Sequence, residues 1–186
     1  ADGCSATDTV TITEPAAMSA PITVTNISCF GDLDGGMCVA VSGGTEPYTY
    51  SWYNASTSTC ITGAGPVVGG CVDITDAMGC TLQVCDDILE PAQLAIVPDT
   101  IHPSCFNACD GIATVAVNGG TPPLTYAWDD PANQVGTSAG GLCDGTYNVD
   151  VTDQNGCLLT ETFSVVEPPQ IIDQIVGTPV MCEGFC

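Results

Sequence analysis

The run Gly43-Gly44-Thr45-Glu46-Pro47-Tyr48-Thr49-Tyr50-Ser51-Trp52 returns as Gly119-Gly120-Thr121-Pro122-Pro123-Leu124-Thr125-Tyr126-Ala127-Trp128, 76 positions further on. Each copy opens as a turn, where glycine supplies positive φ and proline fixes the entry. Each continues as a strand, with its large apolar residues on every second position. Tyr48, Tyr50 and Trp52 therefore share one face, as do Tyr126 and Trp128. That face is expected to line a core rather than to form a sugar-stacking platform.

Other landmarks keep the same spacing. Asp76-Ala77-Met78-Gly79-Cys80 returns 77 positions on as Asp153-Gln154-Asn155-Gly156-Cys157, and its tail already stands at Asp2-Gly3-Cys4. Glu14-Pro15, Glu90-Pro91 and Glu167-Pro168 follow that turn at one interval. Cys29-Phe30 and Cys105-Phe106 open each unit, and Cys182 opens the next. A period of 76–77 residues is too long for a solenoid coil and suits a small sandwich. Boundaries just after each Glu-Pro give the tail of one repeat (1–15), complete repeats at 16–91 and 92–168, and the start of a further one (169–186).

Within a repeat the alternation has period two. Tyr147, Val149 and Val151 alternate with Asn148, Asp150 and Thr152; Val115 and Val117 alternate with Thr114 and Ala116; Val10 and Ile12 alternate with threonines. β-branched residues abound and no stretch reads as an amphipathic helix. Short strands with turns every ten or so residues predict an all-β fold of tandem immunoglobulin-like β-sandwich repeats. Trp52, Trp128, Tyr50, Tyr126 and Tyr147 are the expected core aromatics.

Composition narrows the function. The 186 residues contain no Lys or Arg, 22 Asp plus Glu and one His, a net charge of −22. Phosphate neutralisation needs basic side chains, so nucleic acid is excluded as a partner, and anionic membrane surfaces with it. Disorder, the usual reading of an acidic chain, fails against 45% apolar residues, and only 12% are charged. No apolar stretch is long enough to span a bilayer, so direct membrane insertion is not expected. Thirteen cysteines point to an oxidising compartment and disulfide staples. Without an initiator Met or a signal-peptide pattern, the chain reads as an excerpt of a longer, processed, secreted protein.

Taken together, Cys-Phe-x-x-x-x-Asp-Gly, Gly-Gly-Thr-x-Pro-Tyr-x-Tyr-x-Trp, Gly-x-Tyr-x-Val-x-Val-x-Asp-x-x-Gly-Cys and the closing Glu-Pro resemble the SprB-type repeat. The match falls on Cys29, Phe30, Asp34, Gly35 and Gly43 to Trp52, then on Cys105, Phe106, Asp110, Gly111, Gly119 to Trp128 and Gly145 to Cys157. The resemblance implies a very large cell-surface adhesin of the kind used by gliding Bacteroidota, exported by type IX secretion. The first complete repeat departs from the pattern. It has Gly69-Gly70-Cys71-Val72 in place of Gly-x-Tyr, and it adds Cys38, Cys60, Cys71 and Cys85.

Residues 16–91 hold Cys29, Cys38, Cys60, Cys71, Cys80 and Cys85; residues 92–168 hold Cys105, Cys109, Cys143 and Cys157. Each count is even, so closure within repeats is the simpler expectation. Cys38, Trp52 and Cys71 fall where an immunoglobulin domain places its inter-sheet bridge against a tryptophan, which predicts Cys38–Cys71. Cys143 is expected to pair with Cys105 or Cys109. The sharper alternative joins neighbouring repeats: the Asp-x-x-Gly-Cys turn would bring Cys157 to Cys29, giving a covalently laddered fibre.

His102, Cys105 and Cys109 have zinc-like spacing, but with a single His the expectation is an exposed loop histidine. Asp32, Asp34 and Asp110, with Asp73 and Asp76 and their counterparts Asp150 and Asp153, supply hard oxygens that would suit Ca²⁺. Their spacing matches no complete calcium loop, so solvated turn residues are expected and no cofactor is required. Asn26 and Asn54 head N-glycosylation sequons, and Thr9 and Thr100 sit in Asp-Thr-aliphatic triplets that resemble an O-glycosylation motif. No nucleophile–base or paired-carboxylate constellation stands out, so the chain is not expected to be an enzyme. The expected role is a structural repeat segment of a long extracellular filament or adhesin stalk at the bacterial cell surface. Its expected partners are neighbouring repeats and other copies of the chain. A glycan-binding module, with surface glycans as partners, and a calcium-dependent adhesive module are the competing readings.

Overall fold

The computed structural model describes residues 7–10 and 13–172. Its strands fall into two compact units, one of Ala1–Ile27 with Leu33–Leu89, the other of Ser28–Asp32 with Glu90–Cys186. Among the described residues there is no helix. Cys4, Ile12, Cys182 and Cys186 lie outside the described residues; the stretch around Val10 forms no strand as far as it is described.

The first unit contains β1 (Ile22–Thr25), β2 (Gly35–Val39), β3 (Thr49–Trp52), β4 (Cys60–Ala64), β5 (Val67–Thr75) and β6 (Thr81–Ile88). They form two antiparallel sheets, ordered β1-β2-β4 and β3-β5-β6. The second unit repeats the plan with β7 (Ala95–Ile101), β8 (Gly111–Asn118), β9 (Thr125–Trp128), β10 (Ser138–Leu142), β11 (Gly145–Thr152) and β12 (Leu158–Val165). Its sheets run β10-β8-β7 and β12-β11-β9. With the strands lettered A, B, C, E, F and G, each unit has A-B-E facing C-F-G. This is the immunoglobulin arrangement without its D strand.

Alternation explains which residues meet between the sheets. In the first unit Met37, Val39 and Ile61 from one sheet pack with Trp52, Val72, Ile74 and Ile88 from the other. In the second, Ala113, Val115, Ala139 and Leu142 face Trp128, Val149, Val151, Phe163 and Val165. Trp128 and Phe163 approach at 5.2 Å between ring centres. Each tryptophan is 3% exposed. Its indole N–H finds a carbonyl, Ser58 for Trp52 at 2.7 Å and Gly136 for Trp128 at 3.0 Å, as a buried donor must. Tyr50, Tyr126 and Tyr147 are half-buried against the two cores.

The expected Cys38–Cys71 bridge does not form. Cys38 bonds Cys60, its partner across β2 and β4, and Cys71 bonds Cys85, its partner across β5 and β6. The reason is parity. Met37 and Val39 point into the core, so Cys38 between them points out; Val72 and Ile74 point in, so Cys71 points out. An inter-sheet bridge needs two inward cysteines, and here those inward positions belong to Met37 and Val72. The sulfur staples neighbouring strands of one sheet instead. Cys109, just before β8, is bonded to Cys143, just after β10, where those two strands pair.

Candidate functional site

The acidic turn that recurs in both repeats is built around a buried carboxylate. Asp153 is 5% exposed. Its Oδ1 accepts the N–H groups of Asn155 and Cys157, both at 2.9 Å, and its Oδ2 accepts that of Thr121 at 2.8 Å. Burial pushes its pKa up, but the donors Thr121, Cys157, Asn155 and Gly156 outweigh that and hold it below the usual carboxylate value. Asp76 repeats the pattern with Cys80, Met78 and Thr45 as donors at 2.8, 2.9 and 3.0 Å. Its pKa is lowered chiefly by the Cys80 N–H. Asp76 and Asp153 are thus clasps that tie the Asp-x-x-Gly-Cys turn to the Gly-Gly-Thr turn, and their donors are already committed.

The Gly-Gly turn in turn rests on the segment after Glu-Pro. Gly44 N–H donates to the Ala16 carbonyl at 2.7 Å, and Gly120 N–H to that of Ala92 at 2.8 Å. Gly119 has φ +76°, and a Cβ there would collide with the Gln93 backbone carbonyl. Only glycine fits this approach. The result in each unit is a shallow cleft walled by the post-Glu-Pro segment, the second glycine and the acidic turn with its cysteine.

In the second unit the loop Ser28–Asp32 borders this cleft. Cys29 and Phe30 line it, and Cys29 is bonded to Cys157 with the Cα atoms 5.6 Å apart, an ordinary bridge spacing. Asn155 Nδ2 also donates to the Ser28 carbonyl at 2.8 Å. The loop is held in shape by the Glu-Pro glutamate: Gly31, at φ +86°, donates its N–H to Glu90 Oε1 at 2.7 Å. The next repeat does the same, Asn107 at φ +59° donating to Glu167 Oε2 at 2.6 Å. Glu90 and Glu167 were visible in the sequence only as constant spacing; the structure gives the spacing its cause.

This bridge overturns closure within repeats, because Cys29 opens the stretch 16–91 and Cys157 belongs to 92–168. Cys80, counted among the disulfide cysteines, is an exposed free thiol. The even count that suggested closure arises because the repeat lends Cys29 out and leaves Cys80 unmatched. Cys105 is also in a disulfide.

The other candidate residues do not assemble into a site. Cys105 and Cys109 are oxidised and cannot act as zinc thiolates, and exposed His102 accepts the Val166 N–H at 3.2 Å on Nδ1. Asp32, Asp34 and Asp110 are all exposed. Asp110 binds the Ser104 hydroxyl at 2.6 Å and its N–H at 2.9 Å, and these bonds lower its pKa, the hydroxyl most. No group of three or more acidic, histidine or cysteine side chains able to hold a metal ion occurs among the described residues. Asn26 and Asn54 are exposed, their Oδ1 atoms accepting the N–H groups of Leu89 and Ser56. Thr9 is exposed and Thr100 half-buried in β7. Of the aromatic group Tyr48, Tyr50, Trp52 and Tyr53, only Tyr53 stands clear of the core, at 45% exposure.

Residues 22–57 and 101–133 match the family model of the SprB repeat. The chain carries two SprB-type repeats. The two matched segments cover the Cys-Phe loop and the tryptophan strand of each SprB-type repeat, the guest loop and one wall of the cleft among them. No curated protein matches the chain. Among solved structures it is similar to a C-terminal 282-residue fragment of intimin in complex with the intimin-binding domain of the translocated intimin receptor. There the identity is 16%, the TM-score 0.47, and the match covers 81% of this chain and 64% of that one. A structure on Dscam isoform specificity is similar at 12% identity and TM-score 0.38, over 83% of this chain and 47% of that one. An amphioxus IgVJ-C2 molecule is similar at 12% identity and TM-score 0.32, over 78% and 96%. The SprB-type repeats thus span less than two thirds of the intimin fragment, and their fold assignment rests on strand order rather than on these likenesses.

Proposed function

We propose that this chain is a load-bearing segment of a long extracellular filament or adhesin stalk at a bacterial cell surface, of the gliding-adhesin type, working without catalysis. The observation that carries the reading is the Cys29–Cys157 bridge, which fixes the opening loop of one SprB-type repeat in the closing turn of the next. A chain so linked resists extension even when its sandwiches open, since its sulfur must break first. The cross-strand bridges Cys38–Cys60, Cys71–Cys85 and Cys109–Cys143 serve the same end inside the sheets. A chain with no Lys or Arg also offers trypsin-like proteases no cleavage site.

The test is to pull the protein from intact cells with a force-microscope tip carrying antibody to residues 16–168. Tethering events are expected without permeabilisation. The bridge hides a loop of 128 residues. At roughly 3.3–3.6 Å per residue, reduction should lengthen each fully extended tether by about 420–460 Å. Tethers seen only after the cells are opened, or tethers of equal length before and after reduction, would overturn the reading.

A further inference from the structure

The two clefts are built alike, but only one has a Cys-Phe loop bonded to its cysteine among the described residues. In the second unit the cleft is walled by Pro91 to Leu94, Gly120 and the Asp153–Cys157 turn, and Cys29, Phe30 and Asp32 close a further side of it. In the first it is walled by Pro15 to Met18, Gly44 and the Asp76–Cys80 turn, each position offset by one repeat, and among the described residues no Cys-Phe loop borders it. Cys80 stands where Cys157 stands, and it is free and exposed. The cleft has a volume of about 350 Å³, close to the 330 Å³ of its counterpart. At its rim Met78 is 73% exposed, in the position that Asn155 occupies beside the guest loop. An exposed thiol beside an exposed apolar side chain, in a cleft whose twin is walled by a disulfide-bonded Cys-Phe loop, defines the chemistry of a guest.

We propose that the cleft around Cys80 is a docking socket for the Cys-Phe loop of another SprB-type repeat, which it locks by a disulfide to Cys80. The Cys29 loop of the same chain is already used at Cys157, and Cys105 is in a disulfide, so the guest comes from a further repeat. Its phenylalanine lies against Met18, Met78 and Leu82, and its cysteine meets Cys80. In the exchange reaction the Cys80 thiolate attacks the cysteine sulfur of an incoming disulfide. One S–S bond forms, one breaks, and the leaving thiolate takes the electron pair, with no net oxidation.

The inference rests on the stalk reading only for its oxidising setting; the joint itself is tested on the purified full chain. The probe is a synthetic peptide of residues 26–34 with Cys29 carried as a 2-pyridyl disulfide, so that joining releases pyridine-2-thione. The peptide is expected to modify Cys80 at least tenfold faster than a scrambled peptide of the same composition. The Phe30→Ala peptide should lose most of that advantage, and Cys80→Ser should abolish the adduct on peptide mapping. Equal rates for native and scrambled peptides would sink the proposal, as would preferential formation of a Cys80–Cys80 dimer. Failure here leaves surface tethering untouched, and failure of surface tethering leaves the socket standing.

Discussion

Single residues in this chain carry two kinds of backbone demand, and they separate by experiment. Gly156 and Gly119 both have positive φ, +88° and +76°. Around a Cβ on Gly156 there is open space, whereas a Cβ on Gly119 meets the Gln93 carbonyl. Gly156→Ala should therefore cost only the left-handed penalty, about 1–2 kcal/mol. Gly119→Ala adds overpacking against backbone, for a total of about 2–5 kcal/mol. Each unit has one tryptophan, so in a Trp52→Phe background Trp128 fluorescence follows the second unit alone through urea unfolding. Equal midpoints for the two alanine variants would show that the Gly-Gly turn yields, and that the cleft wall is softer than described.

At the scale of elements, alternation was legible and sulfur pairing was not. Val149 with Val151, and Trp52 with Trp128, read as inward from period two, and the cores contain them. The same period also held the answer for Cys38 and Cys71, because a residue between two inward neighbours faces out. The immunoglobulin analogy pulled the expectation toward an inter-sheet bridge instead, and geometry favours the strand neighbour. Asp76 and Asp153 drew attention as oxygen donors, yet what a carboxylate binds depends on which N–H groups the turn aims at it, and that is invisible in spacing. Cross-strand placement has a measurable consequence. Cys71–Cys85 closes 14 residues in an existing hairpin of β5 and β6, so it removes little freedom beyond what the hairpin removes. Its double Cys→Ser variant should lose no more than about 3 kcal/mol, the figure for a loop of roughly 15 residues. The 128-residue Cys29–Cys157 loop belongs near 5 kcal/mol on the same relation, so its removal should lower the second unit's thermal midpoint further. The reverse order, read by calorimetry, would contradict the assignment of Cys29–Cys157 as the dominant tie.

For the molecule as a whole, charge and the clasps pull in opposite directions as pH falls. With 22 acidic residues and no Lys or Arg, the long-range interactions at neutral pH are repulsive. Acidification through the ordinary carboxylate range, near pH 4, progressively discharges the surface and should raise stability. Asp76, Asp110, Asp130 and Asp153 work the other way, since hydrogen bonds to their carboxylates hold their folded pKa values below the ordinary carboxylate value. A carboxylate with a depressed folded pKa contributes its full share above the unfolded value and loses it as pH falls through the folded one. The two effects together place maximum stability at roughly pH 4–5, with a decline on the acid side as the clasps protonate. Added salt should raise the midpoint at pH 7, where a screening length of about 8 Å shields the repulsion, and do little once the surface carboxylates are protonated. Asp153→Asn should lower stability at neutral pH and flatten the acid limb of the second unit. A midpoint that falls steadily from pH 7 downward would mean that repulsion is negligible in this fold, and that the lack of basic residues has no bearing on how it stands.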